Sequence, residues 1–127
     1  MQSKNVMKRE AKYIVLKFIE SLNKEDFDAA YDLLAKDMTF EGVLGTRNGS
    51  DDYIADMKKM KLKYNIKEVM TNGNHVAVFY NINMGGKEIF SAGWYNVSEE
   101  KIERFKVVFD PRPLLEEKKD ESVHHTS

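Results

Sequence analysis

The stretch NGNHVAVFYNINMGGKEIFSAGWYNV, residues 72–97, decides the fold. Val76, Val78, Tyr80, Ile82 and Met84 fall at every second position, the period of an extended strand, and share one of its faces. Asn72-Gly73 in front of them reads as a type I′ hairpin turn, whose two central residues both need positive φ. Gly85-Gly86 supplies the next turn, and residues 87–97 return as a second strand with Ile89, Ser91, Gly93, Tyr95 and Val97 in one phase. Two long antiparallel strands are therefore the centre of the molecule.

Working outward, Ser98-Glu99-Glu100 turns the chain into a strand over residues 101–109. Phe105, Val107 and Phe109 lie on one of its faces, Arg104 and Lys106 on the other. Pro111 and Pro113 end the pairing, since proline donates no ladder hydrogen bond. On the other side, Leu62, Tyr64 and Ile66 alternate with Lys63, Asn65 and Lys67 and complete a four-strand meander. The first third is different. Ala11, Ile14, Val15, Phe18, Ile19 and Leu22 recur at three and four, the stripe of a helix over roughly residues 5–22. Asn23 or Asp26 caps a second helix with Phe27, Ala30, Tyr31 and Leu34 on one face. Met38, Phe40 and Leu44 against Thr39, Glu41 and Val43 predict a strand. Residues 45–50 are loop by composition, with Ser50 the expected N-cap of a third helix carrying Tyr53, Ile54 and Met57. The order gives an α+β domain, three N-terminal helices gathered on one face of an antiparallel sheet. The domain is expected over residues 1–113, with residues 114–127 a charged, disordered tail.

Composition bounds the function. The 127 residues contain 20 Lys plus Arg against 21 Asp plus Glu and no cysteine. One domain of this length closes one core and leaves room for one small pocket. Without cysteine there is no disulfide, thiolate nucleophile or thiolate-ligated metal. A net charge of −1 provides no general field for nucleic acid or anionic lipid. No apolar run approaches the ~20 residues of a membrane span, and Met1 to Asn5 lead directly into a charged amphipathic stretch. The expectation is a cytoplasmic domain with no cofactor, no metal, and neither nucleic acid nor membrane as partner.

Several short segments resemble the nuclear transport factor 2-like superfamily, in the right order over residues 8–112. Phe18-Ile19-Glu20-Ser21-Leu22-Asn23-Lys24-Glu25-Asp26-Phe27-Asp28 resembles its first helix, turn and second helix. Residues 33–40 are similar to its passage into the first strand, and Arg47-Asn48-Gly49 to the turn before its third helix. Residues 101–106 and Phe109-Asp110-Pro111 are similar to its last strand. The nearest likeness is to the polyketide-cyclase-like (SnoaL-like) and ketosteroid-isomerase-like branch. That resemblance implies a cone-shaped, cystatin-like roll in which a curved sheet and three helices enclose an apolar pocket, commonly as a dimer. It also implies what chemistry is absent. Where ketosteroid-isomerase-like members place a donor tyrosine, a carboxylate base and a second acid, this chain has Phe18, Gly42 and Gly93. Where limonene-epoxide-hydrolase-like members use Asp, Arg and Asp around a water, it has Tyr80, Asn81, Ile82 and Asn83, with Val107 at a last-strand aspartate position. Whether the domain is an enzyme is left open.

The inward phase of the strands nominates Phe18, Phe40, Tyr80, Ser91, Tyr95 and Phe109 to line a pocket, Tyr80 orienting a ligand through its hydroxyl. Gly42 and Gly93 either enlarge that cavity or let the sheet bend. Glu103 shares the pocket phase of the last strand, and with Tyr80 is the least poor catalytic candidate. Against each stands a plainer reading: a core tyrosine, a serine bonded to its neighbours, a glutamate at an exposed strand end. Asp37 and Asp110 read as acceptors of local backbone bonds, His75 as an exposed hairpin residue, and Arg47 as a loop residue able to close on an anion. Met38, Met57, Met60, Met70 and Met84 fall at or near core phases, where flexible thioethers fill irregular space.

Phe79, Phe90 and Trp94 lie in the opposite phase, which a sheet with one wet face would make polar. Either the strands twist enough to half-bury both sides, or a second copy of the chain covers this face as a homodimer. Three functions remain: a domain binding a small apolar molecule; an isomerase, cyclase or hydrolase of the same fold; and an interaction module working through the Trp94 face.

Overall fold

A computed structural model describes residues 9–115. Their order is α1 (Ala11–Asn23), α2 (Phe27–Asp32), β1 (Leu34–Glu41), β2 (Thr46–Asn48), α3 (Ser50–Met60), β3 (Lys63–Asn72), β4 (His75–Met84), β5 (Lys87–Ser98) and β6 (Lys101–Phe109). Residues 5–8 of the expected first helix, His124, His125 and the charged segment from residue 116 lie outside the described residues; Arg9 and Glu10 are not helical, Glu10 being the extended N-cap of α1. The strands form one sheet in the order β2-β1-β6-β5-β4-β3. β3 to β6 are the antiparallel meander expected from the sequence. β1 joins β6 in parallel, which the reading of a wholly antiparallel sheet did not include. α1 lies across β3 to β6, and α3 against β1 and β2, so all three helices cover one face.

Ile14, Val15, Phe18, Ile19 and Leu22 of α1 are buried against Val76, Val78, Tyr80, Ile82, Tyr95, Val97, Ile102 and Phe105 of the sheet. Burying such a side chain contributes about 1.5–3 kcal/mol, so this seam carries most of the fold. Asp26 caps α2, its carboxylate accepting from Ala29 N at 3.2 Å. Asn23 is used otherwise. Its side chain accepts from Tyr64 N at 2.7 Å and donates to Tyr64 O at 2.9 Å, clamping the start of β3 to the end of α1.

The structure corrects several expectations locally. β1 stops at Glu41, because Gly42 N donates to Gly45 O at 2.8 Å and closes a tight loop; Gly42, Val43 and Leu44 therefore leave the sheet. Residues 46–48, read as loop, pair with β1 through Thr39–Asn48, Phe40–Arg47 and Glu41–Thr46. The N-cap of α3 is Gly49 at φ 95°, and Ser50 is already helical. In the first hairpin Asn72 faces His75, so Gly73 and Asn74 are the central pair. Gly73 alone has positive φ (62°), the mark of a type II′ turn. Gly85 (60°) and Gly86 (92°) do form the type I′ pattern between Met84 and Lys87.

Within the meander, two bulges reset the side-chain phase. Ile66 pairs with Tyr80 but Glu68 with Phe79, leaving Lys67 extra. Asn96 pairs with Arg104 but Val97 with Ile102, leaving Glu103 extra. Each bulge moves the following residues to the opposite face. Val69 thereby faces inward beside Val78, Ile102 is buried, and Met70 is exposed on the outer face.

Candidate functional site

A cavity of about 460 Å³ opens where α3 and the start of β3 meet one end of the sheet. Tyr53, Met57 and Met60 recur at four and three along α3 and line one wall together. Tyr64 enters from β3, Ile82 and Met84 from the end of β4, Val107 and Phe109 from the end of β6. Phe40 of β1 and the loop through Leu44 border the opening, with Leu44 74% exposed. A helical turn at residues 112–115, begun by the bond from Leu114 N to Pro111 O at 3.0 Å, brings Leu114 to the same rim. Leu114 lies beyond the domain end placed at residue 113 from the sequence.

Among the described lining residues, Asp56 alone is charged. Arg47 Nε donates to its Oδ2 at 2.6 Å, tying β2 to α3 at the mouth, and the carboxylate holds the Arg47 guanidinium pKa above its ordinary value. Arg47 thus has a partner rather than standing ready for an anion.

Of the six residues nominated to line a pocket, the structure brings Phe40 and Phe109 to this cavity. Phe18 is sealed beneath it, its ring edge-on to Tyr95 and Phe105 at 6.4 and 5.8 Å. Tyr80 does not orient its hydroxyl into open space: Tyr80 and Tyr95 share a hydrogen bond at 2.7 Å inside the core. Ser91 donates to Ile89 O at 3.0 Å and borders a second hollow with Phe90, Ala92, Val108 and Pro113. Gly93 does not enlarge the cavity, because Tyr80 and Tyr95 fill the space a Cβ would need. Gly42 is on the rim, where a Cβ would meet the Phe40 ring at 2.8 Å.

Glu103 is the clearest displacement. The bulge turns it to the outer face, where it accepts from Asn96 Nδ2 at 3.2 Å, across the sheet from Tyr80. The two catalytic candidates are therefore on opposite sides of the sheet. Asp37 is exposed within β1, Asp110 is paired with Arg112 at 2.6 Å, and His75 lies beside Trp94 on the outer face at 5.7 Å between rings. Reading the sheet alone missed the contribution of α3 and β3; the signal available was the Tyr53, Met57, Met60 spacing.

Tyr53, Tyr64, Tyr80 and Tyr95 form a line of phenols from the cavity wall into the core. Removal from water pushes all four pKa values up, and they stay protonated donors at ordinary pH. Among the described residues no three of His, Asp and Glu come together as a metal site, and no helix is long and apolar enough to cross a membrane.

Fold and site together define an α+β roll with an apolar cavity at one end of its open sheet. Residues 15–105 match the SnoaL-like domain, and the chain belongs to that family. It is similar to an NTF2-like protein of unknown function from Cytophaga hutchinsonii, with 42% identity over 85% of this chain and 96% of that one, at a TM-score of 0.83. A cystatin-fold protein from Novosphingobium aromaticivorans shares the fold at 14% identity and a TM-score of 0.72, over 79% of this chain and 98% of that one. So does an LEH-like epoxide hydrolase from M. tuberculosis, at 21% identity and a TM-score of 0.68, over 79% and 82%. No curated protein matches the sequence.

Proposed function

We propose that this domain binds a small apolar molecule in the cavity beneath α3. The observation that carries the reading is the wall itself: a space of about 460 Å³ bounded by aromatic, aliphatic and thioether side chains, with Asp56, the one charged residue among its described lining, already paired with Arg47. That size and lining are those of small-molecule sites, and the three methionines at 57, 60 and 84 let the wall adapt to its guest. The enzyme reading of the fold is weaker, since Tyr80 is bonded within the core and Glu103 lies on the other face.

A neutral fluorescent probe, N-phenyl-1-naphthylamine, tests the reading. Its emission should rise on titration into the protein and fall back for Met60→Trp. Met60 is half exposed at the rim, so the larger ring fills the mouth without entering the core. No enhancement with the wild type, or an unchanged titration with Met60→Trp, would count against the cavity as a binding site.

We further propose that a second copy of the chain covers the outer face. Phe90 and Trp94 are 61% and 58% exposed there, the Phe90 ring stacked on Phe79 at 6.3 Å, with Met70 and Val108 beside them. An apolar patch running across adjacent strands is the kind that marks an interface.

A further inference from the structure

We propose that Asp56 is the polar anchor of the cavity, and that its ligand is an apolar molecule carrying one ammonium group. The inference rests on the cavity being a binding site and adds the chemical class that it selects. Asp56 stands one turn from both Tyr53 and Met60 on α3, so the helix puts it on the face that lines the cavity. It is half-buried there, and a carboxylate taken onto an apolar wall costs free energy unless a positive charge answers it. Within the chain that answer is incomplete. Arg47 makes one hydrogen bond, from Nε to Oδ2 at 2.6 Å, and not the two-pronged contact that makes guanidinium–carboxylate pairs strong. Asp56 Oδ1 accepts no hydrogen bond from a described residue. Among the described residues no sealed side-chain oxygen lacks a partner, so Oδ1 is open to an incoming donor.

The surroundings favour a cation at this oxygen. The described wall offers no lysine or arginine, and Asp56 is its one charge. Phe40, Tyr53, Tyr64 and Phe109 line the same space, and the face of an aromatic ring attracts a cation and repels an anion. Removal from water raises the Tyr53 pKa, and the Asp56 charge is among the influences that raise it further, so the field of the carboxylate reaches the inner wall. Arg47 is readily displaced. Its side chain is 53% exposed, and an ion pair so placed holds weakly. Asp52, one turn earlier on α3, also acts on Arg47, so a guanidinium that leaves Asp56 keeps a carboxylate to face. An ammonium on the ligand takes its place, while the hydrocarbon body fills the cavity.

Three probes on one bicyclic frame, 2-aminoindane, indane and indane-2-carboxylate, separate the anchor from the apolar wall. Each is titrated at pH 7 into the isotope-labelled full chain and followed by amide chemical shifts. The amine should bind about five- to tenfold tighter than indane, and the carboxylate most weakly. Asp56→Asn should abolish the preference for the amine. Arg47→Gln should strengthen amine binding severalfold, since the competing cation is gone, a gain that a merely structural tie between β2 and α3 would not give. Equal affinity of the wild type for amine and indane would overturn the anchor and leave the cavity standing. Failure of all three to bind would overturn anchor and cavity together. Tighter binding of the carboxylate than of the amine would overturn the ligand class and make Arg47 the anchor. Amine affinity unchanged or lowered in Arg47→Gln would overturn the exchange at Asp56. A preference for the amine that survives Asp56→Asn, or amine-induced shifts gathered away from α3, would overturn the assignment to this residue.

Discussion

Gly93 faces Val78 and Val107 across the sheet, and a Cβ there would collide with the Tyr80 hydroxyl and come within 2.7 Å of Tyr95 Cε1. The glycine makes room for two large phenols to meet in the core, where an unmet hydroxyl would cost about 1–3 kcal/mol. That arrangement has a pH signature. The folded chain keeps the protons of Tyr53, Tyr64, Tyr80 and Tyr95 above the ordinary phenol pKa of about 10, whereas the unfolded chain releases them. With more protons bound in the folded state, stability is fully present below about pH 10 and falls as pH rises beyond it. The loss is about 1.4 kcal/mol per pH unit for each such tyrosine. Urea midpoints at pH 9, 10 and 11 should drop progressively, and Tyr80→Phe should make the decline shallower. A midpoint constant from pH 9 to 11 would refute the burial of these phenols.

At the scale of the element, the turns and bulges decide where side chains point. Glu99 and Glu100 both adopt positive φ, 54° and 61°, in the turn between Ser98 and Lys101. An L-residue other than glycine, asparagine or aspartate pays about 1–2 kcal/mol there. Replacing the pair with Asn-Gly should raise stability by about 1–2 kcal/mol, less a fraction of a kcal/mol for the exposed Arg9–Glu100 ion pair at 2.7 Å. Thermal denaturation checks this, and an unchanged or lower midpoint would argue that the turn is unstrained. The bulges were legible, though not from strict alternation. Ile66-Lys67-Glu68-Val69 and Ile102-Glu103-Arg104-Phe105 each set two polar residues between apolar ones, the break that a bulge leaves in a two-residue period. Following 103, 105, 107 and 109 as one phase carried Glu103 to the wrong face. β2 left no such trace, since Thr46-Arg47-Asn48 is exposed and its pairing is set by the return of the chain beside β1.

For the whole molecule, the exposed Phe90, Trp94, Met70 and Val108 of the outer face are where the proposed second copy would dock. A stable interface of standard size buries about 800 Å² per partner. Light scattering at micromolar concentration should give twice the 14.8 kDa chain mass, and Trp94→Glu should return it to that of one chain. A wild-type monomer would remove the dimer. The same scale explains why the likeness to an epoxide hydrolase carries the fold and no chemistry: at 21% identity the roll is shared, whereas reactive groups are individual side chains on it.

The sequence by itself determined the helix stripes, the meander with its tight turns, the absence of thiol chemistry and the family, because each is written in local periodicity, composition or ordered short motifs. The tertiary structure alone decided which tyrosines meet in the core and which open on the cavity, and that α3 and β3 form a wall. It alone tied Asp56 to Arg47 and put Glu103 on the far face. Those outcomes depend on register shifts of one residue and on contacts between segments distant in the chain. A one-residue shift reverses the direction of every side chain that follows, and no local pattern of hydrophobicity measures such a contact.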